Sequence, residues 1–181
     1  MGRKKILILL FAIPFFLAFS SIEKRAEVFS RPMPPKIGDI APEINMLSVD
    51  RTTSYKLSDL RGNLVLVNFW ASLVAPCRFE NPNLVRAYQK YKSSTFTNGK
   101  GFTIYSVSLD TDINNWKNAI TKDKLIWPYH VSDLKGYDSQ AANDYGVRAI
   151  PYNFLIDGEG RVVAVNLRGD ELSKALDSYL K

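Results

Sequence analysis

The run Leu64-Val65-Leu66-Val67-Asn68-Phe69-Trp70, followed by Ala71-Ser72-Leu73-Val74-Ala75-Pro76-Cys77-Arg78-Phe79-Glu80, decides the fold. The first seven residues are almost continuously apolar and rich in β-branched and aromatic types. A half-exposed strand would alternate, so this one reads as a central strand covered on both faces. It gives way to a predicted helix over 76–92. There Phe79, Leu84, Val85, Tyr88 and Tyr91 are spaced to turn an apolar stripe inward, and Pro82 is expected to kink it. Cys77, the only cysteine of the chain, sits where strand passes into helix.

On either side of this unit the pattern keeps alternating. Short strands are expected at 43–49 and 54–57, with a helical turn at Ser58-Asp59-Leu60 capped by Ser58. After a loop around Asn98-Gly99-Lys100-Gly101 come a strand over Phe102–Leu109, a helix over Asp112–Lys122 and a strand over 126–131. A helix over Ser139–Tyr145 follows. Tyr152–Ile156 and Arg161–Asn166 flank Asp157-Gly158-Glu159-Gly160, a hairpin signal. A last helix over Asp170–Leu180 would put Leu172, Leu176 and Leu180 on one face. Strands alternating with helices, closing on an antiparallel hairpin, predict an α/β domain in three layers with a mixed central sheet.

The N-terminus reads differently. Arg3, Lys4 and Lys5 lead into the uncharged, apolar stretch Ile6–Phe19, and Ala18-Phe19-Ser20 has the small-x-small pattern of a cleavage site. Residues 1–20 are therefore expected to be an export signal or, if uncleaved, an N-terminal anchor tethering the protein to a membrane through residues 6–19. Residues 21–35, ending in Arg31-Pro32-Met33-Pro34-Pro35, read as a linker, and 36–181 as the folded domain. The expected location is outside the cytoplasm, in a bacterial periplasm or cell envelope.

The 181 residues carry 24 Lys and Arg against 18 Asp and Glu, but three of those cations belong to the export signal. The rest are scattered, so no nucleic-acid surface is expected. Apolar residues make up 46% and aromatic residues 12%, which argues against disorder, collagen and coiled coil. One Cys and one His exclude an internal disulfide, a Cys-rich zinc site and a multi-histidine centre built from this chain alone. No metal and no cofactor are expected. His130 is assigned no role, Trp116 and Trp127 are read as packing residues, and Asp110, Asp112 and Asp123 are read as solvated.

Two segments carry a family resemblance: Trp70 to Glu80, and Tyr145-Gly146-Val147-Arg148-Ala149-Ile150-Pro151-Tyr152-Asn153-Phe154-Leu155-Ile156-Asp157. With Ile37-Gly38-Asp39-Ile40-Ala41-Pro42 before them, they resemble thioredoxin-like envelope proteins of the TlpA and ResA type, within the redoxin or AhpC/TSA group. The resemblance implies a thioredoxin-like α/β/α domain with an N-terminal β-hairpin extension. It further implies thiol-disulfide oxidoreductase ancestry and an active-site loop comprising Trp70, Val74, Pro76, Cys77, Glu80 and Pro151. Trp70, Ala71, Ser72, Pro76, Cys77, Arg78 and Glu80 match the family motif. Leu73 replaces its second Trp, and Val74 stands where its attacking cysteine belongs. Pro151 falls at the family's cis-proline, and Asn68 where thioredoxins carry a buried Asp.

The second departure bears directly on the chemistry. In a Cys-x-x-Cys pair, the first sulfur at a helix N-terminus is stabilised as thiolate and attacks a substrate disulfide, and the second resolves the mixed disulfide. Valine has no nucleophilic atom, which leaves Cys77 as a resolver without an attacker, one turn into the helix, where it should be less exposed and less acidic. Three readings of Cys77 follow. It is an inert small hydrophobe; or it is a monothiol forming a mixed disulfide or sulfenic acid, tuned by Arg78 and Glu80; or it is a peroxidatic cysteine. The last fails, because the peroxiredoxin pattern asks for Thr and Pro where this chain has Val74 and Trp70. The inert reading is adopted. It leaves a groove between the Val74 loop and Pro151 for an exported polypeptide or redox partner protein, with monothiol chemistry in envelope redox homeostasis as the alternative.

Overall fold

The computed structural model describes residues 33–181. The expected signal or anchor, with most of the linker, lies outside the described residues. The elements are β1 (Asn45–Leu47), β2 (Ser54–Lys56), a 3-10 turn (Leu57–Leu60), β3 (Leu64–Trp70), α1 (Ala75–Tyr91), β4 (Thr95–Phe96), β5 (Gly99–Lys100) and β6 (Phe102–Ser108). They continue with α2 (Ile113–Lys122), β7 (Tyr129–Val131), a second 3-10 turn (Gly136–Asp138), α3 (Gln140–Asp144), β8 (Tyr152–Ile156), β9 (Val162–Val165) and α4 (Asp170–Ser178).

The reason β3 is apolar on both faces lies in its place at the centre of a five-stranded sheet, order β7-β6-β3-β8-β9. It pairs in parallel with β6, Leu64 opposite Phe102, and antiparallel with β8, Val67 opposite Phe154. Because side chains alternate along a strand, Leu64, Leu66 and Trp70 enter one core, shared with Leu84, Ala87 and Tyr91 of α1, Trp116 of α2, and Leu172 and Leu176 of α4. Val65, Val67 and Phe69 enter the other, formed with Leu57, Leu60, Ala141, Ala142 and Tyr145 under the β1–β2 hairpin and α3. Two apolar layers thus sandwich a mixed sheet, an α/β/α arrangement with an N-terminal hairpin.

Several local expectations give way. Ser58 does not cap the first 3-10 turn; the Glu43 carboxylate, fourteen residues before Leu57, accepts the Ser58 N–H instead. Asn98-Gly99-Lys100-Gly101 is not a plain loop: Gly99 and Lys100 form β5, paired antiparallel with β4 in a small hairpin that turns at Thr97-Asn98. The last helix stops at Ser178, and Leu180 leaves its predicted stripe to bridge Phe96. Strand β7 begins only at Tyr129, because Pro128 has no N–H to give a ladder. Helix α1 runs unbroken through Pro82, but Phe79 points outward and is 79% exposed, contrary to the inward stripe predicted for it. The inward stripe is Cys77, Asn81, Leu84, Ala87 and Tyr91, at the helical spacing of three and four.

Candidate active site

The carboxyl ends of parallel strands β3 and β6 open side by side, the position where α/β sheets place their sites. Leu109 N–H donates to the Trp70 carbonyl at 2.8 Å, which holds the two strand exits together. Asp110, just beyond β6, is buried and accepts Ser72 N–H at 3.0 Å, Ser72 Oγ–H at 2.5 Å and Ser108 Oγ–H at 2.7 Å. This fixes the turn that leads into α1. A buried carboxylate with three donors is a satisfied one, so the solvated reading of Asp110 is corrected.

Val74 then takes the N-cap position of α1 in extended geometry and makes no side-chain capping bond, since valine has no acceptor to offer. Ala75 and Pro76 form the first turn, where the missing proline N–H costs nothing. Cys77 N–H donates to the Val74 carbonyl at 3.0 Å, and the Cys77 side chain turns inward, 1% exposed. Trp70 and Cys77 are buried in one cluster, with Val74 and Ile150 packed against it. Burial pushes the Cys77 thiol from the ordinary 9.0 up to about 11, aided by the Asp110 charge and opposed by a bond with the Ala71 backbone and by the Arg168 charge.

The neighbouring charges are not disposed as the sequence suggested. Arg78 leans away from the sulfur. Its guanidinium pairs with Asp123 and donates to the Ser72 carbonyl at 2.9 Å, while Asn81 donates to the same carboxylate at 2.7 Å. Asp123 is thus a partnered group, not a solvated one, and Asp112 is the N-cap of α2, accepting from Asn114 and Asn115 N–H at 2.7 and 3.0 Å. Glu80, one turn beyond Cys77, is engaged at both oxygens, by Gly169 N–H at 2.8 Å and Asn83 Nδ2 at 3.0 Å. The expected tuning of Cys77 by Arg78 and Glu80 is replaced by Arg168 and Asp110.

The Ile150–Pro151 peptide bond is cis and leads into β8. The Pro151 carbonyl accepts from Arg168, whose other terminal nitrogen donates to the Leu167 carbonyl at 2.8 Å. Asn153 ties the same loop, donating to the Leu167 carbonyl at 2.8 Å and accepting Leu167 N–H at 2.9 Å. Around this centre Leu73, 79% exposed, and Phe79 present apolar surface beside the exposed Pro76. Arg168 was not foreseen, and no local signal marks it. Asp110 had one: it is the first charged residue after the strand predicted over Phe102–Leu109.

His130 lies away from this centre, buried and stacked on Trp127 with centroids 5.3 Å apart. Trp116 and Trp127 are fully buried packing residues, as their assignment in the sequence required.

A mixed five-stranded sheet, a helix rising from the central strand at the motif and a cis-proline at the start of β8 define a thioredoxin-fold domain. The AhpC/TSA family model matches residues 37–165, and the chain belongs to that family, with relatives that are thiol-disulfide oxidoreductases of the ResA type. It is 30% identical over 153 residues to thiol-disulfide oxidoreductase ResA of Bacillus cereus, covering 84% of this chain and 82% of that one. The thiol:disulfide interchange protein HelX of Rhodobacter capsulatus is 30% identical over 151 residues, 79% of this chain and 76% of HelX. Among solved structures, the thioredoxin domain of a thiol-disulfide oxidoreductase from Bacteroides vulgatus superposes with a TM-score of 0.72 at 34% identity, over 81% of this chain and 99% of that one.

Proposed function

We propose that this is an exported thioredoxin-fold protein that does not run the dithiol reductase cycle of its relatives and that uses the surface around Val74 and Pro151 to bind an extended polypeptide. The observation that carries the reading is the cysteine count set against position. The chain's one cysteine is the inward-facing Cys77, and the N-cap position of α1 holds Val74. A dithiol cycle needs two sulfurs, one of them exposed at the helix N-terminus as nucleophile. Neither condition is met within this chain. The binding role is supported by exposed Leu73, Pro76 and Phe79 around the motif, since an extended segment docks through its backbone and through apolar contacts on alternate residues.

Export rests on the charged-then-apolar pattern of residues 3–19. Among the described residues no helix is long and apolar enough to cross a membrane.

The test is insulin reduction with dithiothreitol as electron source, for the protein beside its Cys77→Ala variant. Equal, background-level turnover is expected. Turnover well above the variant overturns the proposal and supports a monothiol oxidoreductase acting through Cys77.

A further inference from the structure

At its β7 edge the central sheet is notched. Strand β6 starts at Phe102, but β7 joins it only at Tyr129, opposite Tyr105, since Pro128 brings no N–H to a ladder. Phe102 and Thr103 therefore have β3 on one side and no strand on the other. What faces them there is a cavity of about 190 Å³, overhung by Tyr88 and Lys92 at the end of α1. That is the room of about six waters.

The polar groups around this notch are unemployed. Thr103 is 9% exposed, yet its buried hydroxyl has no hydrogen-bond partner, a condition native structures rarely leave standing. The Tyr88 ring is held against Trp127 with centroids 5.9 Å apart, and the Tyr129 ring against Tyr55 at 5.2 Å. Tyr91, Tyr105 and Tyr145 spend their hydroxyls on protein acceptors; among the described residues Tyr88 and Tyr129 do not. Lys92 is exposed and belongs to none of the ion pairs of the described residues. No acidic side chain lines the cavity, and Leu60, Phe102 and Pro128 give it an apolar wall. Asn63 is turned aside, its amide donating to the Leu60 carbonyl at 3.1 Å.

We infer that this notch binds a small aliphatic monocarboxylate: the Lys92 ammonium and the hydroxyls of Thr103, Tyr88 and Tyr129 supply donors to the carboxylate, and Leu60, Phe102 and Pro128 cover its hydrocarbon part.

The composition of the wall selects this class. Four side chains offer protons, so a ligand of acceptors fits better than one of donors. Burial and the neighbouring Tyr129 raise the Tyr88 pKa, which keeps that phenol a donor. One ammonium with no carboxylate beside it favours an anion, but only a single charge. The notch lies at the C-terminal end of α1, where the helix dipole presents about half a negative charge, and a phosphate dianion would meet it with two. The apolar wall asks for a hydrocarbon portion, which inorganic anions lack, and the volume limits the molecule to about six non-hydrogen atoms, the size of butyrate. The notch sits at the Leu64 end of β3, opposite Phe102, while Val74 lies beyond the other end, a strand length of about 20 Å away. The inference is thus independent of the groove around Val74 and Pro151.

The test is titration of the full ¹⁵N-labelled chain with butyrate at constant ionic strength, followed by amide NMR, beside sodium chloride, butyramide and inorganic phosphate. Butyrate is expected to give saturable shifts at Thr103 and Tyr129, with half-saturation at about 1 to 10 mM, the weak affinity of so small a ligand. Butyramide, of the same shape without the charge, should bind at least tenfold more weakly. Lys92→Gln, at an exposed position, should weaken butyrate about tenfold, and Thr103→Val, which keeps the shape and removes the hydroxyl, about fivefold. Shifts no larger than chloride gives, shifts centred elsewhere, tighter binding of phosphate than of butyrate, or unchanged affinity in Lys92→Gln overturns the inference. Where Thr103→Val does not fold, Tyr129→Phe takes its place beside Lys92→Gln, and unchanged affinity in both overturns it equally.

Discussion

Alkylation of native against unfolded protein tests the state of Cys77 most directly. The thiolate is the reacting form, and burial lifts the thiol from 9.0 to about 11. At pH 8 the thiolate fraction is then about a hundredfold lower in the folded chain than in the unfolded one, since each pH unit is a factor of ten. Occlusion adds to this, because at 1% exposure the sulfur meets reagent only when α1 or its flanking loops open locally. Iodoacetamide labelling followed by intact mass spectrometry, with and without guanidinium, should show native labelling at least a hundredfold slower. Linkage supplies a second reading of the same number. A thiol whose folded value is raised stabilises the fold fully below 9.0 and loses that contribution as the pH climbs from 9.0 towards 11, a total of about 2 to 3 kcal/mol. Stability should therefore fall over that alkaline range in the parent and fall less in Cys77→Ala. Native labelling within tenfold of the unfolded rate at pH 8 would refute the buried, unreactive thiol.

Other perturbations probe the rest of the site. Val74→Cys supplies a sulfur at the N-cap of α1, three residues before Cys77, and is expected to yield insulin reduction above the parent; none would show that the surroundings no longer support the cycle. Asp123→Ala strips Arg78 and Asn81 of their shared acceptor and should cost about 1 to 3 kcal/mol in denaturant unfolding. Although burial acts the other way, the bonds from Arg78 and Asn81 hold Asp123 below 3.8. Its contribution is therefore present above that value and lost as the pH falls below it, so the variant's deficit should shrink in acid. Burial lowers His130 to about 4 from 6.5, so the neutral ring stabilises the fold above pH 6.5 and that stability is lost as the pH falls towards 4. His130→Phe keeps a ring against Trp127, and thermal melts should show it losing less stability than the parent between pH 7 and 4.5.

The parts of this fold written in short windows were legible in the sequence. Strand β3 announces its central place because both faces are apolar over seven residues, and the start of α1 follows from Pro76 and the change of period behind it. What escaped depends on contacts made far along the chain. Glu43 caps a turn fourteen residues on, and Arg168 bonds Pro151 seventeen residues back. Asp110 is held by Ser72 across two strand ends. Phe79 was misread for a physical reason. Apolar periodicity assumes that a large ring is buried, and at the outer face of α1 that assumption fails, beside the site itself.

The three tryptophans, Trp70, Trp116 and Trp127, all lie on the α1 side of the sheet, while the hairpin side is built around tyrosines and phenylalanines such as Tyr105, Tyr145 and Phe154. The molecule's near-ultraviolet emission is thus one-sided. Fluorescence excited at the indole band follows loosening of the layer that houses the sulfur and is nearly blind to fraying of the opposite one, so a label-free optical signal is already in place for watching that layer alone.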